Sequence, residues 1–128
     1  MRIATWNVNS IKQRLDNTLA WLTARQPDVV CLQETKCVDE AFPRDAFEAL
    51  GYNVAVHGQK TFNGVAILSK SPFDEVTSGL PGDATDEQAR FLEAVISTKN
   101  SSLRVASIYL PNGNPLGTDK YTYKIKWM

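Results

Sequence analysis

The sequence lacks most of the features that identify common enzyme classes. It has one histidine, His57, and two cysteines among 128 residues, and its 14 basic and 14 acidic side chains give no net charge. Two cysteines make neither a disulfide framework nor a zinc site, and a single histidine limits any Ser-His-Asp or Cys-His scheme to that residue. A neutral total excludes a global attraction to nucleic acid or anionic lipid, although it is compatible with a local basic patch.

Motifs for several nucleotide-dependent and metal-dependent reactions are also missing. The chain contains no P-loop, no G-x-G-x-x-G fingerprint, no H-E-x-x-H helix and no G-x-S-x-G turn. No apolar run approaches the roughly 18 residues that a membrane-spanning helix needs, and the first residues show no signal-peptide pattern. We therefore expect a cytoplasmic protein without a membrane partner.

The residues that are present predict one α/β domain that opens with a β-α-β unit. The pattern predicts a strand over residues 2–6, an amphipathic helix that begins with a capping box of Ser10 and Gln13, and a buried strand over residues 29–32. Two strands joined by a helix in this way are expected to be parallel, with a right-handed crossover. Cys31, inside the buried strand, is expected to be an unreactive buried thiol.

The rest of the chain is predicted to contain mainly short strands. Asn63 and Gly64 form the strongest turn signal, and a short helix is expected over residues 42–50. Further strands are predicted over residues 52–57, 65–69, 73–77, 91–98 and 103–110, and a last helix from residue 118 or 119 onward.

Polar side chains follow the two strands of the β-α-β unit at the point where each strand ends. Asn7 comes after the first strand and Glu34 after the second. Parallel strands place their carboxyl ends at the same edge of a sheet, which is where open α/β sheets bind ligands. A carboxylate and an amide oxygen suit Mg²⁺. A loop cap at Glu34 and an Asx turn at Asn7 explain the same residues without a metal.

Two further groups are candidates for contacts with phosphate. Tyr109 ends a predicted strand beside a loop of Pro, Asn and Gly, where its hydroxyl can bond a phosphate oxygen or simply line the rim of the core. Lys120, Lys124 and Lys126 form a local basic cluster, which a solvated helix face explains as well as a DNA contact does.

The chain contains five distinctive segments, in this order: residues 5–10 (TWNVNS), 32–36 (LQETK), 64–69 (GVAILS), 109–113 (YLPNG) and 120–127 (KYTYKIKW). Together these segments resemble the exonuclease III family of abasic-site endonucleases. The Gln-Glu-Thr element is common to the wider endonuclease/exonuclease/phosphatase superfamily. The lysine that follows it and the last segment favour the DNA-repair branch.

The resemblance implies a four-layer α/β sandwich and a metal-dependent phosphodiesterase. The implied activities are 3′→5′ exonuclease action on double-stranded DNA and cleavage 5′ to an abasic site, with Mg²⁺ or Mn²⁺ as the cofactor. By the family pattern, Asn7 and Glu34 help to form the metal site, with Glu34 as a direct ligand, and Tyr109 contacts the scissile phosphate. Asn112 and Arg90 fall where the family has residues near the DNA.

The same resemblance implies that residues 1–128 form only the N-terminal portion of such a domain. The family's Asp-x-Asn motif, which supplies the general base, and its Ser-Asp-His motif do not occur in this sequence. We therefore expect one mixed β-sheet with helices on its outer face and a large exposed apolar face, on which a missing C-terminal half packs. Little activity is expected of the chain alone. The alternatives are a non-catalytic remnant or binding module, and a superfamily phosphatase with another phosphoester substrate.

Overall fold

The described part of the chain, residues 1–78 and 88–109 of a computed structural model, contains seven strands and two α-helices. Asn112, the basic cluster and the last predicted helix lie outside the described residues. The elements are β1 (Ile3–Asn7), α1 (Leu15–Arg25), β2 (Val29–Gln33), α2 (Arg44–Glu48), β3 (Asn53–His57), β4 (Val65–Ser69), β5 (Phe73–Ser78), β6 (Phe91–Ser97) and β7 (Ser102–Ile108).

The first four strands form a mixed sheet in the order β1-β2-β4-β3. β1 and β2 are parallel, with Asn7 opposite Gln33, which confirms the predicted β-α-β unit. β4 is antiparallel to both of its neighbours. The residues that follow β1 and β2 therefore share one edge with the loop that precedes β4, because β4 runs in the opposite direction.

α1 covers the outer face of this sheet with an apolar stripe at helical spacing. Leu22 is fully buried against Val30, Leu32 and Leu68 of the strands, and Leu19 packs at the border of the same cluster. The predicted helices on the outer face of a mixed sheet are confirmed. No helix in residues 1–78 or 88–109 is long and apolar enough to cross a membrane.

The predicted helix start at Ser10 is wrong, because the backbone at that residue bonds to another loop. α1 begins at Leu15. Ser10 has a φ of 86°, and its amide donates to the carbonyl of Glu34 at 2.7 Å. Its hydroxyl still accepts a hydrogen bond from the amide of Gln13 at 3.3 Å. The capping bond therefore forms in a turn ahead of the helix.

The expectation of a single sheet is also wrong. β5, β6 and β7 form a second, antiparallel sheet, and it packs on the inner face of the first. Leu92 and Ile96 of the second sheet meet Val29 and Ile67 of the first in one buried cluster. The predicted large apolar face is therefore covered at β2 and β4, although Ile3 on edge strand β1 remains 53% exposed. Alternating sequence patterns predicted these strands but carry no information on which sheet a strand joins.

Both cysteines are buried and neither forms a disulfide. Burial raises the pKa of the Cys31 thiol to about 11, and burial is also the largest cause of the raised pKa of Cys37. A thiol with a raised pKa stays protonated near neutral pH and is a poor nucleophile. The predicted burial of Cys31 is confirmed.

Packing between the two sheets is predicted to account for a large part of the stability of the fold. Ile96→Ala should lower the free energy of unfolding by about 2–5 kcal/mol, because it leaves a cavity among fully buried side chains. Val76→Ala, on the exposed side of β5, is the matched control and should cost less than about 1 kcal/mol. Urea unfolding measures both values, and equal effects would contradict the sheet packing described above.

Candidate active site

The ends of β1 and β2 bring Asn7 and Glu34 into direct contact. The Asn7 amide nitrogen Nδ2 donates to Glu34 Oε1 at 2.9 Å. Asn7 Oδ1 accepts a hydrogen bond from the backbone amide of Asn9 at 3.1 Å, so the Asx turn is present as well. The prediction that both side chains lie at one edge of the sheet is confirmed. Asn7 thus stabilises the loop that follows β1 and also binds the Glu34 carboxylate in the loop that follows β2.

Lys36, two residues beyond Glu34, turns back onto the same carboxylate. Its ammonium lies 3.6 Å from Glu34 Oε2 and donates to Asn9 Oδ1 at 2.6 Å. Glu34 and Lys36 both have a φ of 56°, in the left-handed region that residues with a side chain rarely adopt. Such conformations cost energy and cluster at functional sites.

The loop between β3 and β4 supports the Glu34 loop through its backbone. The amides of Thr35 and Lys36 donate to the carbonyls of Gly64 and Asn63, at 3.2 Å and 2.9 Å. Gly64 has a φ of 96°, and a Cβ at this position would lie 2.1 Å from Thr35 Oγ1. Close approach and backbone conformation therefore both require glycine here.

Tyr109 and Arg90 reach the site from the second sheet. The Tyr109 hydroxyl lies near the Glu34 carboxylate, and each group shifts the pKa of the other. The Tyr109 amide donates to the Arg90 carbonyl at 2.8 Å, and Arg90 Nη1 donates to the Tyr109 carbonyl at 3.3 Å. The Arg90 guanidinium also lies over the Tyr109 ring, 5.0 Å from its centroid, in a cation–π contact. The site is therefore built across both sheets.

These contacts set the ionisation of the acid and the phenol in opposite directions. Burial alone would raise the pKa of Glu34, but hydrogen bonds from Asn7 and Tyr109 and the charge of Lys36 outweigh it and lower that pKa. Burial, and then the hydrogen bond and charge of Glu34, raise the pKa of Tyr109, and the charge of Arg90 opposes them. Near neutral pH the site thus presents a carboxylate and a protonated phenol.

A match to a known family extends over nearly the whole chain. Residues 4–124 match the Endonuclease/Exonuclease/phosphatase family. The chain belongs to this family. It is 40% identical over 113 residues to exodeoxyribonuclease III of Haemophilus influenzae, a match that covers 88% of this chain and 42% of that protein. The predicted resemblance to the exonuclease III family is confirmed.

Solved structures of similar proteins have the same fold. One is a 3′ phosphatase, NExo from Neisseria, bound to a product DNA hairpin, with a TM-score of 0.93 at 40% identity. Another is an AP endonuclease from Archaeoglobus fulgidus, with a TM-score of 0.91 at 39% identity. Each alignment covers 99% of this chain and 48% of the other. The chain thus spans about half the length of the relatives it matches.

Endonuclease/Exonuclease/phosphatase proteins generally use divalent metal ions. The site offers the type of ligand atom that such an ion prefers, but the described residues supply too few ligands to complete its coordination shell. Glu34 offers a carboxylate, which is a hard donor, whereas the Asn7 amide oxygen accepts from the Asn9 amide and its nitrogen faces Glu34. No group of three or more His, Cys, Asp or Glu side chains that could hold a metal occurs among the described residues. Mg²⁺ commonly binds through one or two carboxylates and completes its shell with water and substrate phosphate. Glu34 could serve as such an anchor.

The structure thus brings together four of the five site residues predicted for this family member. Asn7, Glu34, Arg90 and Tyr109 meet at one end of the two sheets. Asn112 lies outside the described residues. Sequence reasoning missed Asn9, which holds Lys36. The available signal was its position in the loop that follows β1, two residues after a predicted site residue.

The contribution of Glu34 to stability is predicted to depend on pH in a defined direction. The folded-state pKa of Glu34 is lowered, so its contribution is complete above the unfolded value of about 4.3 and is lost as pH falls through the folded value. Urea unfolding of wild type and Glu34→Gln should therefore show a stability advantage of the wild type that shrinks from about pH 7 to about pH 3. An advantage that stays constant or grows on acidification would contradict the described contacts.

Proposed function

We propose that this chain carries part of the active site of a DNA-repair phosphodiesterase that acts as a 3′→5′ exonuclease and abasic-site endonuclease. The observation that carries the proposal is the hydrogen bond from Asn7 to the Glu34 carboxylate at the end of the sheets, with Lys36 on the same carboxylate and with Tyr109 and Arg90 nearby. Phosphodiester hydrolysis needs a hard anion for a metal, together with donors and cations that stabilise phosphate charge. The exodeoxyribonuclease III and AP endonuclease relatives support this assignment.

Glu34 is the proposed direct ligand of Mg²⁺ or Mn²⁺, and Asn7 is proposed to orient it. When bound, such a cation polarises a phosphoryl oxygen and lowers the pKa of its bound water. Asn7 holds Oε1 of the carboxylate, while Lys36 lies near Oε2 and neutralises its charge. A hydrogen bond to the second oxygen of a ligand fixes its orientation and tunes its basicity.

Tyr109 is proposed to turn its phenolic proton from the Glu34 carboxylate to the scissile phosphate when DNA binds. Its raised pKa keeps that proton in place at neutral pH. Arg90, stacked on the ring, adds positive charge on the side of the phosphate, and Asn112 is proposed to lie near the DNA. Duplex DNA with an abasic site or a 3′ end is the proposed partner, and the DNA-bound Neisseria neighbour supports DNA contact in this fold.

We further propose that a C-terminal half supplies the general base and packs beside these sheets in the cytoplasmic enzyme. The chain covers 42% of its Haemophilus relative, which leaves room for that half. A second candidate function is removal of 3′ phosphate groups from DNA ends, since the Neisseria neighbour is a 3′ phosphatase at 40% identity. Both reactions hydrolyse a phosphoester of DNA and use the same groups.

The proposed function is tested with a hybrid in which this chain is joined to the remaining C-terminal part of Haemophilus influenzae exodeoxyribonuclease III. Three duplexes serve as substrates, one with an abasic site, one with a recessed 3′ hydroxyl and one with a 3′ phosphate. We expect metal-dependent cleavage at the abasic site, with kcat lowered at least about 10²-fold by Glu34→Gln and by Tyr109→Phe. Glu48→Gln, an exposed site on α2, is the matched control and should change nothing.

Each of the other outcomes of this assay favours a different function for the protein. Preference for the 3′ phosphate duplex favours the phosphatase. DNA binding with no cleavage of any duplex by the hybrid favours a non-catalytic binding module and contradicts the proposal.

The chain by itself is predicted to cleave the abasic-site duplex at least about 10²-fold more slowly than the hybrid. A positioned general base contributes about 10²–10⁴-fold to such reactions, and this chain carries no Asp-x-Asn motif. Single-turnover kinetics with Mg²⁺ measure both rates. Equal rates would contradict the division of the site, and residual cleavage that survives Glu34→Ala would come from a contaminating nuclease.

A further inference from the structure

The site is divided between two sheets whose common core is largely apolar. Glu34 follows β2 of the first sheet, and Tyr109 follows β7 of the second. Val29, Ile67 and Leu92 belong to the cluster that fills the space between the sheets. Apolar attraction is non-directional, so it presses the sheets together without fixing how far β7 is displaced along β2. Something else must hold the acid opposite the phenol.

Directional contacts between the sheets occur at the end next to the site. Gln33 Nε2, on β2, donates to Ser107 Oγ, on β7, at 3.1 Å. The Ser107 hydroxyl in turn donates to the backbone carbonyl of Leu32 at 2.9 Å. Ser107 is completely buried, so water does not compete for its hydroxyl. β7 is thus bonded both to the side chain and to the backbone of β2.

The two bonded residues stand next to the two site residues in the chain. Gln33 directly precedes Glu34, and Ser107 precedes Tyr109 by two positions. Strand side chains alternate between faces, so Ser107 and Tyr109 share the face of β7 that is turned toward β2, and Tyr109 packs against the cluster between the sheets. Displacement of β7 by one residue, about 3.4 Å, would carry the phenol away from the carboxylate.

We propose that Gln33 and Ser107 are positioning residues that fix the displacement between the two sheets and thereby hold Tyr109 on Glu34. Neither side chain contacts the reacting groups in this role. The contact they maintain is present without DNA or metal, and only its consequence for cleavage depends on the proposed function.

Stability and positioning can be separated by removing both partners at once. Loss of one partner leaves a buried polar group without its bond, whereas replacement of both by apolar groups can be nearly neutral for stability. Buried polar networks specify a single arrangement even where they add little stability. A purely structural role therefore predicts an effect on unfolding alone, and a positioning role predicts a change at Tyr109 in a chain that remains folded.

The test is NMR of the 128-residue chain with ¹³C-labelled tyrosine rings, free of DNA and metal. The Tyr109 resonance is assigned with Tyr109→Phe, and Glu34→Ala defines its position when the neighbouring carboxylate is absent. In the Gln33→Leu/Ser107→Ala double variant we expect the resonance to move most of the way to the Glu34→Ala position. The melting temperature should change by less than about 4 °C.

Two further variants show whether the contact between the sheets is responsible. Thr5→Val removes only the contact of Gln33 within its own sheet, where Gln33 Nε2 donates to Thr5 Oγ1 at 3.0 Å, and should leave the Tyr109 resonance unchanged. Ser107→Thr retains the hydroxyl and should keep the resonance at the wild-type position. If the double variant does not fold, Ser107→Ala alone provides the same readout.

An unchanged Tyr109 resonance in a folded chain that lacks the Ser107 hydroxyl would overturn the inference. So would an equal shift in Thr5→Val. Failure of the hybrid enzyme to cleave DNA would refute the proposed function and leave this readout unaffected, so the two failures are distinguishable.

Discussion

The proximity of the Tyr109 hydroxyl to the Glu34 carboxylate is the feature on which the candidate site depends, because it joins groups delivered by two different sheets. It also couples their ionisation. The phenol helps to keep the acid ionised, and the acid helps to keep the phenol protonated. An anion that can anchor a metal and a donor that can bond a phosphate are therefore maintained by one contact. Lys36 balances the charge of the acid, and the charge of Arg90 acts on the phenol.

Backbone hydrogen bonds arrange the loops around this contact. The loop after β1 bonds to the loop after β2, that loop bonds to the turn before β4, and Gly64 in the turn donates to the Ala89 carbonyl at 2.8 Å ahead of β6. The last link is the bond from the Tyr109 amide to the Arg90 carbonyl. Main-chain bonds of this kind do not depend on side-chain identity, so the frame of the site is independent of the side chains that perform its chemistry. Left-handed residues such as Glu34 and Lys36 are the conformational cost of bringing the loops so close.

The sandwich of two sheets explains how a chain of this length covers its largest apolar surface. The four-stranded sheet is packed by α1 on one face and by β6 and β7 on the other. β1 lies at the edge, beyond the cover of the second sheet, and Ile3 is exposed there. β1 is therefore the strand of the first sheet that the second sheet leaves uncovered.

The sequence alone determined the β-α-β unit and the meeting of Asn7 with Glu34, because a helical period between two short strands dictates a parallel pair, and a parallel pair dictates a common edge. It also determined most of the later strands, through local alternation and turn residues. Only the tertiary structure decided that the last three strands form a separate sheet, and that this sheet delivers Tyr109 to Glu34. Pairing between segments distant in sequence depends on the fit of whole faces. Alternation of apolar and polar residues shows which face of a strand is buried, but it does not show which other element packs on that face.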